Sequence, residues 1–446
     1  MARFLAANVI RRSQAAISAG LALSLSLLTI ACQEAEPPGG STSGTGSAPS
    51  GEAPKELRLG SLLPATGDLS ALGKPMIDSV PLLVEQVNSC GGVNGAPVKL
   101  IPNVDDQTNE TAGTEGIKRL ITVEKVAGVV GSFASGVSNA ALTEAIRNQV
   151  MLVSPGSTSA KFTTRGAAGE LKGFWARTAP SDTYQAPALA KVAYDKGLRK
   201  VAVLYIKNEY GTSFQKEFIT AFKALGGTIT NEANPTNYDP KASSFRTEVA
   251  EAFKDKPDAV AAIMYGETGS AVMKTAFEQG LSKGIPFLLT DGMYAGNLAE
   301  QVGKTSDGKF IATGSLGTIP GSSGTALKDF TKIWEDKLKR PIEAYAPHSW
   351  DAAALMVIAA EAAKSNSGAG IQSKIRDVAN APGEEVSDVC QALKLVKEGK
   401  DINYQGASGN VDIDANGDVL GSYDIWTIKE DGKIGTVGNV VPTANK

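Results

Sequence analysis

The hydrophobic pattern of the chain alternates between short apolar runs and longer amphipathic stretches from residue 57 onward. Apolar runs end in polar turns, as in residues 57–64 (LRLGSLLP) and 151–158 (MLVSPGST). Amphipathic stretches such as residues 74–89 follow these runs and end near glycine, which is typical of helices. Pro81 lies inside that stretch and is expected to kink or delay its helix. Strands that alternate with helices in this way predict an α/β fold with a doubly wound parallel sheet.

The alternation occurs twice, which predicts two α/β units. The first series ends near residue 180, and a second begins with the helical stretch 185–197 and the apolar run 199–208. Residues 348–365 then predict a strong helix, and residues 403–428 predict a hairpin.

The predicted hairpin turns at Asn416-Gly417, where the sequence partly matches a calcium-binding loop. Asp412 and Asp414 would be the first two ligands of that loop, but Tyr423 stands where a bidentate glutamate is needed. A plain turn fits the residues better than a calcium site. We therefore expect no metal here.

The N-terminus has the pattern of an export signal. Three arginines precede an apolar run at residues 17–31, and Cys32 follows at once. Residues 1–31 are therefore interpreted as a signal peptide, with Cys32 as the site of lipidation. The alternative is that Cys32 merely flanks an ordinary cleavage site. Residues 32–56 are rich in Gly, Ser, Pro and Ala and predict a disordered tether. Such a tether would hold the folded body at a membrane on its extracytoplasmic side.

Composition excludes several classes of function. The formal net charge of −3 gives no basic surface for nucleic acid. The chain has one histidine, His348, which argues against Ser-His-Asp catalysis and histidine-rich metal sites. No nucleotide-binding glycine motif follows a strand, so no cofactor is expected. A hydrolase that uses Ser157 remains an alternative, but no base is placed beside that hydroxyl. The protein is therefore predicted not to be an enzyme.

Cys90 and Cys390 are the two cysteines outside the leader. Export to an oxidising compartment favours a disulfide between them. Two separate buried thiols are the alternative, because the sequence does not show that the two residues are close.

Polar side chains follow the ends of several predicted strands. In open α/β sheets, ligands bind beyond the carboxyl ends of the strands. The residues at these ends are Ser135, Ser157, Thr158, Asp182, Tyr210, Tyr265 and Asp291. They are the candidate ligand-binding residues.

The chemistry of these residues matches a small zwitterion. The three hydroxyls stand beside helix starts, where free backbone N–H groups and the helix dipole favour a carboxylate. Asp182 and Asp291 suit an ammonium group, and Tyr210 and Tyr265 can line a cleft. The alternative is that the hydroxyls cap helices and the aspartates form turns. The residues thus favour an amino acid as the ligand.

Several of these stretches resemble one known family in their sequence and order. They include SLLPATGDLSALG, VVGSFASG, LVSPGSTSAKFT, VLYIKNEYG and ASGNVDIDANGDVLG. The chain resembles the solute-binding proteins of bacterial branched-chain amino-acid ABC transporters, the leucine/isoleucine/valine-binding type, over about residues 57–430. This resemblance implies two lobes, joined by a three-strand hinge, that close over one amino acid. It places residues 57–182 and 316–424 in lobe 1, and residues 183–315 and 425–446 in lobe 2.

The same resemblance implies roles for individual residues. Ser135 and Thr158 match the hydroxyls that bind the ligand carboxylate, and Gly156 and Ser157 match the backbone turn beside them. Asp291 matches the acidic partner of the ammonium group, although the family has glutamate there. Other cleft positions are matched by Asp182, Tyr210 and Tyr265.

The function implied is that of an exported, lipid-anchored monomer that delivers an amino acid to an ABC permease. Asp291 in place of glutamate and Leu72 in place of an aromatic residue leave the ligand side chain open between branched-chain, neutral and polar. The alternative keeps the fold and binds an amide, a urea or an aromatic acid, or acts as a ligand sensor.

Overall fold

The computed structural model describes residues 55–441, and the first of its sheets contains six parallel strands. These are β1 (Arg58–Leu63), β2 (Lys99–Leu100), β3 (Val104–Asp105), β4 (Gly128–Gly131), β5 (Met151–Ser154) and β6 (Trp175–Arg177). The strand order is β2-β1-β4-β5-β6, with β3 paired to β1. The central strands β4 and β5 are buried along their whole length, as expected for parallel strands covered on both faces.

The second sheet contains eight strands. These are β7 (Lys200–Ile206), β8 (Thr228–Ile229), β9 (Thr236–Tyr238), β10 (Ala259–Ile263), β11 (Phe287–Leu289), β12 (Leu316–Pro320), β15 (Tyr423–Ile428) and β16 (Ile434–Val440). The order is β16-β15-β12-β11-β10-β7-β8, with β9 beside β7. Only β15 runs antiparallel to its two neighbours. A small parallel pair joins β13 (Glu384–Val386) to β14 (Ile402–Tyr404).

Thirteen α-helices cover the sheets of the described part of the chain. They are α1 (Ser70–Ser89), α2 (Glu110–Thr122), α3 (Ser135–Arg147), α4 (Ala160–Ala167), α5 (Asp182–Asp195), α6 (Glu209–Ala224), α7 (Arg246–Phe253), α8 (Gly266–Glu278), α9 (Leu298–Val302), α10 (Leu327–Leu338), α11 (Ala346–Ala362), α12 (Gly368–Ala379) and α13 (Val389–Lys397). A 3₁₀ turn spans Asp291–Met293. Helices α1–α4 and α10–α13 go with the first sheet to form lobe 1. Helices α5–α9 go with the second sheet to form lobe 2.

The chain passes between the two lobes three times, and this confirms the predicted fold class. It leaves the first sheet after β6, returns to lobe 1 after β12, and enters lobe 2 again at β15. The exact residues of the predicted lobe boundaries stay a prediction. Strand β12, which begins at the predicted boundary Leu316, lies in the second sheet.

Helix α1 begins earlier than the sequence predicts. It starts at Ser70, and both Pro75 and Pro81 lie inside it, so the expected delay at Pro81 is wrong. The buried face of α1 packs against α11, and the Ser79 hydroxyl donates to the carbonyl of Ala346 at 2.8 Å. This packing offsets the backbone hydrogen bonds that the prolines cannot make.

The predicted hairpin at residues 403–428 is wrong, although its turn exists. Strand β14 pairs with β13, and β15 pairs with β12 and β16, so β14 and β15 do not meet. The turn closes locally between Asp414 and Asp418. Asp418 bonds to the buried Arg177 of lobe 1 at 2.7 Å, which draws the segment onto that lobe instead of folding it back on itself. No group of three or more His, Cys, Asp or Glu that could hold a metal ion occurs in residues 55–441.

The predicted signal peptide, Cys32 and almost all of the predicted tether lie outside the described residues. Within the described range, every helix is too short or too polar to cross a bilayer.

A disulfide joins Cys90, just after α1, to Cys390 in α13, with 5.8 Å between the Cα atoms. It closes a loop of 300 residues. Such a long covalent loop restricts the unfolded chain, which stabilises the folded state.

We expect Cys90→Ser combined with Cys390→Ser to lower the free energy of unfolding by about 2 to 4 kcal/mol. Urea unfolding of the variant and of the parent protein measures this difference. Ligand affinity should not change, because neither cysteine contacts the strand ends. An unchanged unfolding midpoint would show that the bridge contributes nothing to stability.

Candidate functional site

The turn after β5 lies beside the start of α3. The Ser135 hydroxyl accepts a hydrogen bond from the Ser159 N–H at 3.3 Å. Gly156 is required here, because a Cβ atom would lie 2.2 Å from the Phe133 ring. No side chain caps the N-terminus of α3. The first N–H groups of a helix have no partner within it, so this end can bind an anion.

Ser157 and Thr158 point in different directions. The Ser157 hydroxyl lies 2.8 Å from the Ser138 hydroxyl and 3.0 Å from the Phe133 carbonyl, inside lobe 1. The Thr158 hydroxyl is also buried but has no hydrogen-bond partner in the described residues. The Thr158 hydroxyl lies near the Asp182 carboxyl, whose pKa it lowers, whereas the Ser157 hydroxyl supports the turn from within.

A buried arginine holds the turn in place. Arg177 donates from one terminal nitrogen to the carbonyls of Ser157 and Ser159, both at 3.0 Å. Its Nε and other terminal nitrogen bond to Asp418 at 2.8 and 2.7 Å. The sequence prediction missed both residues. Asp418 lies in one of the stretches that carry the family resemblance, whereas Arg177 lies in none of them.

Asp291 lies at the end of β11 and accepts three hydrogen bonds. Tyr210 donates to Oδ1 at 2.7 Å, Gln185 donates to Oδ1 at 3.0 Å, and Tyr345 donates to Oδ2 at 2.9 Å. Tyr345 belongs to lobe 1, so its bond crosses the cleft. Burial raises the pKa of Asp291, and the three donors offset part of that rise.

Aromatic rings surround this carboxylate. Tyr210 and Tyr265 stack with ring centroids 5.4 Å apart, and Phe133 meets Tyr345 edge to face at 4.8 Å. Tyr210 and Tyr265 were predicted as cleft residues, whereas Tyr345 and Gln185 were not. Tyr345 precedes a helix and does not follow a strand, so the rule about strand ends does not find it.

Asp182 begins α5 and is completely buried. Burial raises the pKa of its carboxyl well above the ordinary value, and the negative charge of Asp291 raises it further. The Thr158 hydroxyl and the Arg177 guanidinium lower it in part. Even so, neither carboxylate oxygen of Asp182 has a partner at hydrogen-bonding geometry within residues 55–441.

Several other buried polar atoms on these elements also lack a partner within the described range. Together with both oxygens of Asp182, they are Thr158 Oγ1, Gln185 Oε1, Thr290 Oγ1 and His348 Nδ1. Buried polar atoms without partners are uncommon, and each needs an explanation. Three of these six atoms are carboxylate or amide oxygens, which accept hydrogen bonds only. These three acceptors lack donors, which an ammonium group would supply.

The lobes also meet along a second line, beside the turn after β5. Lys161 of α4 pairs with Glu209 of α6 at 2.8 Å, and the Ser159 hydroxyl donates to the same carboxylate at 3.3 Å. The Ala160 N–H donates to the Ser213 hydroxyl at 3.0 Å. The site residues are thus enclosed by contacts between the lobes.

Two α/β lobes linked by three crossings and closed over a buried polar cleft are the architecture of a type I periplasmic binding protein. The family described as "Receptor family ligand binding region" matches residues 78–431. The chain belongs to this family and is a binding protein of the leucine/isoleucine/valine-binding type.

Two relatives illustrate the range of sequences. The chemotactic signal transduction system substrate-binding protein BasB of Halobacterium salinarum is 27% identical over 400 residues, which cover 84% of this chain and 88% of that protein. The Leu/Ile/Val-binding protein homolog 7 of Brucella abortus is 31% identical over 187 residues, which cover 41% of this chain and 46% of that protein.

Solved structures share the fold at low identity. The leucine binding protein LivK from Thermotoga maritima has a TM-score of 0.71 and 24% identity, covering 86% of this chain and 99% of that one. LivJ from Streptococcus pneumoniae in complex with isoleucine has a TM-score of 0.69 and 20% identity, covering 87% and 100%. A solute-binding protein from R. palustris in complex with benzoate has a TM-score of 0.69 and 20% identity, covering 88% and 98%.

The imidazole of His348 provides a test of this buried environment. Its ring centroid lies 5.3 Å from that of Tyr345, and burial lowers its pKa from 6.5 to about 3. Between these two values the unfolded chain binds one more proton than the folded chain. His348 therefore makes the folded state less stable as the pH falls below 6.5.

We expect the His348 effect to cost the parent protein about 2 kcal/mol of unfolding free energy between pH 6.5 and pH 5. Between pH 6.5 and pH 5, the unfolding free energy of His348→Gln should fall by about 2 kcal/mol less than that of the parent protein. Urea unfolding at both pH values, with the two proteins compared, measures the difference and cancels the other titrating groups. Equal losses in the two proteins would contradict a buried neutral imidazole.

Proposed function

We propose that this protein is an extracytoplasmic lipoprotein that captures a small amino acid by lobe closure and delivers it to an ABC permease. The observation that carries the proposal is the chemical asymmetry of the cleft. Ser135, Thr158 and the uncapped start of α3 offer hydroxyl and N–H donors at one end. Asp182 and Asp291 offer carboxylates nearby. An α-amino acid carries the complementary anion and cation.

The energetics support a zwitterion. A charge in a buried site is costly unless the protein pairs it, and the closed cleft has hydroxyl and N–H donors for an anion and carboxylates for a cation. Charge-assisted hydrogen bonds are roughly twice as strong as neutral ones. A micromolar dissociation constant needs only about −8 kcal/mol net, which two such clusters and apolar contacts can supply.

The lining supports a ligand with a small side chain. A cavity of about 40 Å³ lies between the lobes, with Leu72, Gly266 and Gly292 in its wall. Gly266 and Gly292 directly follow the candidate residues Tyr265 and Asp291 along the chain. Leu72 presents an apolar surface where the family has an aromatic ring. Branched-chain, neutral and small polar amino acids fit this description.

The remaining parts of the proposal rest on the leader and the relatives. The apolar run before Cys32 supports export and lipid anchoring, and the leucine-binding relatives support transport. Neither feature supports catalysis, and the proposed role needs none.

A ligand sensor is the second candidate function. The relative from Halobacterium salinarum is named as part of a chemotactic signal transduction system, and the same closure could signal to a receptor. Aromatic acids are weaker candidates, although the benzoate complex from R. palustris shares the fold. Benzoate has no cation to pair with Asp182 and Asp291.

Calorimetric titration with the twenty amino acids, benzoate and 4-hydroxybenzoate tests the proposal. Ligand that copurifies is first removed by unfolding, dialysis and refolding. We expect heat of binding with at least one small amino acid and none with its N-acetyl derivative. No binding by any amino acid, or binding by benzoate alone, would refute the proposal.

Substitutions at the acidic end test the assigned roles. We expect Asp182→Asn and Asp291→Asn each to weaken binding of the identified amino acid by about 2 to 5 kcal/mol, because a buried ammonium loses its charged partner. Asp307→Asn, on an exposed turn of lobe 2, is the matched control and should bind normally. Equal affinities in all three variants would remove the aspartates from the site.

A further inference from the structure

One contact between the lobes involves a residue that neither the strand-end rule nor the site described above includes. Asp68 lies in the loop between β1 and α1 of lobe 1. Its Oδ1 accepts hydrogen bonds from the N–H groups of Glu267 and Thr268, at 2.8 and 2.9 Å. Its Oδ2 accepts from the Thr268 hydroxyl at 2.7 Å. These two acceptors and their donors are about 200 residues apart in sequence.

Asp68 takes the place of a missing helix cap. Helix α8 begins after Tyr265, and no local side chain bonds to its free N–H groups. Capping side chains normally come from the residue that precedes the helix. Here the cap comes from the opposite lobe, so it forms only when the lobes are closed. Opening the cleft would break three hydrogen bonds and expose the α8 N-terminus.

The loop that carries Asp68 is fixed within lobe 1. The Asp105 carboxylate accepts from the Ala65 N–H at 2.9 Å and from the Thr66 hydroxyl at 2.6 Å. Gly67 adopts a φ of +84°, and a Cβ atom there would lie 2.2 Å from the Gln107 carbonyl oxygen. The loop is thus held in one conformation, and little ordering is needed when Asp68 meets α8.

The contact lies between two spaces. One is the cavity of about 40 Å³ whose wall includes Leu72, Gly266 and Gly292. The other is an open groove of about 730 Å³ whose wall includes Tyr265. Asp68 and Glu267 line both spaces. The cap therefore borders both the cavity and the groove.

We propose that Asp68 is a positioning residue that latches lobe 1 to the start of α8, holds the cleft closed and slows the release of ligand. It does not touch the carboxylate or the ammonium end of the ligand. Asp68 affects ligand affinity by stabilising the closed arrangement, so the predicted effect on ligand release rests on the proposed function. The predicted effect on lobe closure is independent of the proposed function.

Hydrogen exchange of the full chain without added ligand tests the latch directly. Asp68→Ala should speed exchange at the N–H groups of Glu267 and Thr268, and Asp68→Asn, which keeps a neutral acceptor, should restore part of the protection. The matched control is Asp388→Ala, because Asp388 caps α13 within lobe 1 through the Gln391 N–H at 2.7 Å. If the Glu267 and Thr268 N–H groups exchange at the same rate in Asp68→Ala as in Asp388→Ala, the latch does not form in solution.

Stopped-flow binding of the amino acid identified by calorimetry tests the effect on ligand release. A helix cap of ordinary strength corresponds to a rise of about twofold to thirtyfold in both Kd and koff for Asp68→Ala. The association rate should change little. Thr268→Val removes the bond to Asp68 and also a 3.1 Å bond between the Thr268 and Tyr238 hydroxyls within lobe 2. Added to Asp68→Ala, it should raise koff by less than it does in the parent protein, because the bond to Asp68 is already lost.

The two proposals fail in different ways. If no amino acid binds the parent protein, the proposed function fails, while the exchange experiment still decides whether the latch exists. If exchange at α8 speeds up in Asp68→Ala but koff stays at the parent value, the latch does not control release. An equal loss of affinity in Asp388→Ala would also overturn the proposal, since general loss of stability would then explain it.

Discussion

The structure depends on two carboxylates that lie close together in a closed cleft. Burial and the charge of Asp291 both raise the pKa of Asp182, and the nearest buried cation, Arg177, is already bound to Asp418. A protein could avoid this electrostatic cost with a neutral residue. A cationic ligand would offset this cost, because an ammonium group would relieve the repulsion between the two carboxylates and donate to the unpaired oxygens of Asp182. The proposal of an amino-acid ligand rests on this pair of acids.

The fold places these groups by joining distant parts of the chain. Arg177 connects the turn after β5 to Asp418, which is 241 residues away in sequence. Tyr345 of lobe 1 bonds to Asp291 of lobe 2. Contacts of this kind couple the geometry of the site to the closed arrangement of the lobes. Ligand binding and closure would then be favoured by the same interactions, as expected for a clamp that pairs buried charges.

The sequence predicted the fold class, and it named most of the residues that the structure brings together around Asp182 and Asp291, because both follow from local patterns. Buried parallel strands read as short apolar runs, and neighbouring strand ends meet at one edge of a sheet. It did not predict Tyr345, Gln185 or the direction of the Ser157 hydroxyl. Those depend on how helices and loops pack at long range, which periodicity does not encode. The hairpin prediction failed for the same reason, since Asp418 bonds to Arg177 and not to a neighbouring strand.

The short side chain of Asp291 limits the part it would play in binding an ammonium group. The shorter Asp291 side chain is held by Tyr210, Gln185 and Tyr345, which occupy most of its acceptor capacity. Asp182 keeps both oxygens unpaired. Much of the hydrogen bonding to an ammonium would then fall to Asp182, with Asp291 supplying charge from a fixed position. An aromatic acid would satisfy only the hydroxyls and would leave both oxygens of Asp182 without a partner. In the proposed site, Asp182 and Asp291 would thus favour a cationic ligand group together.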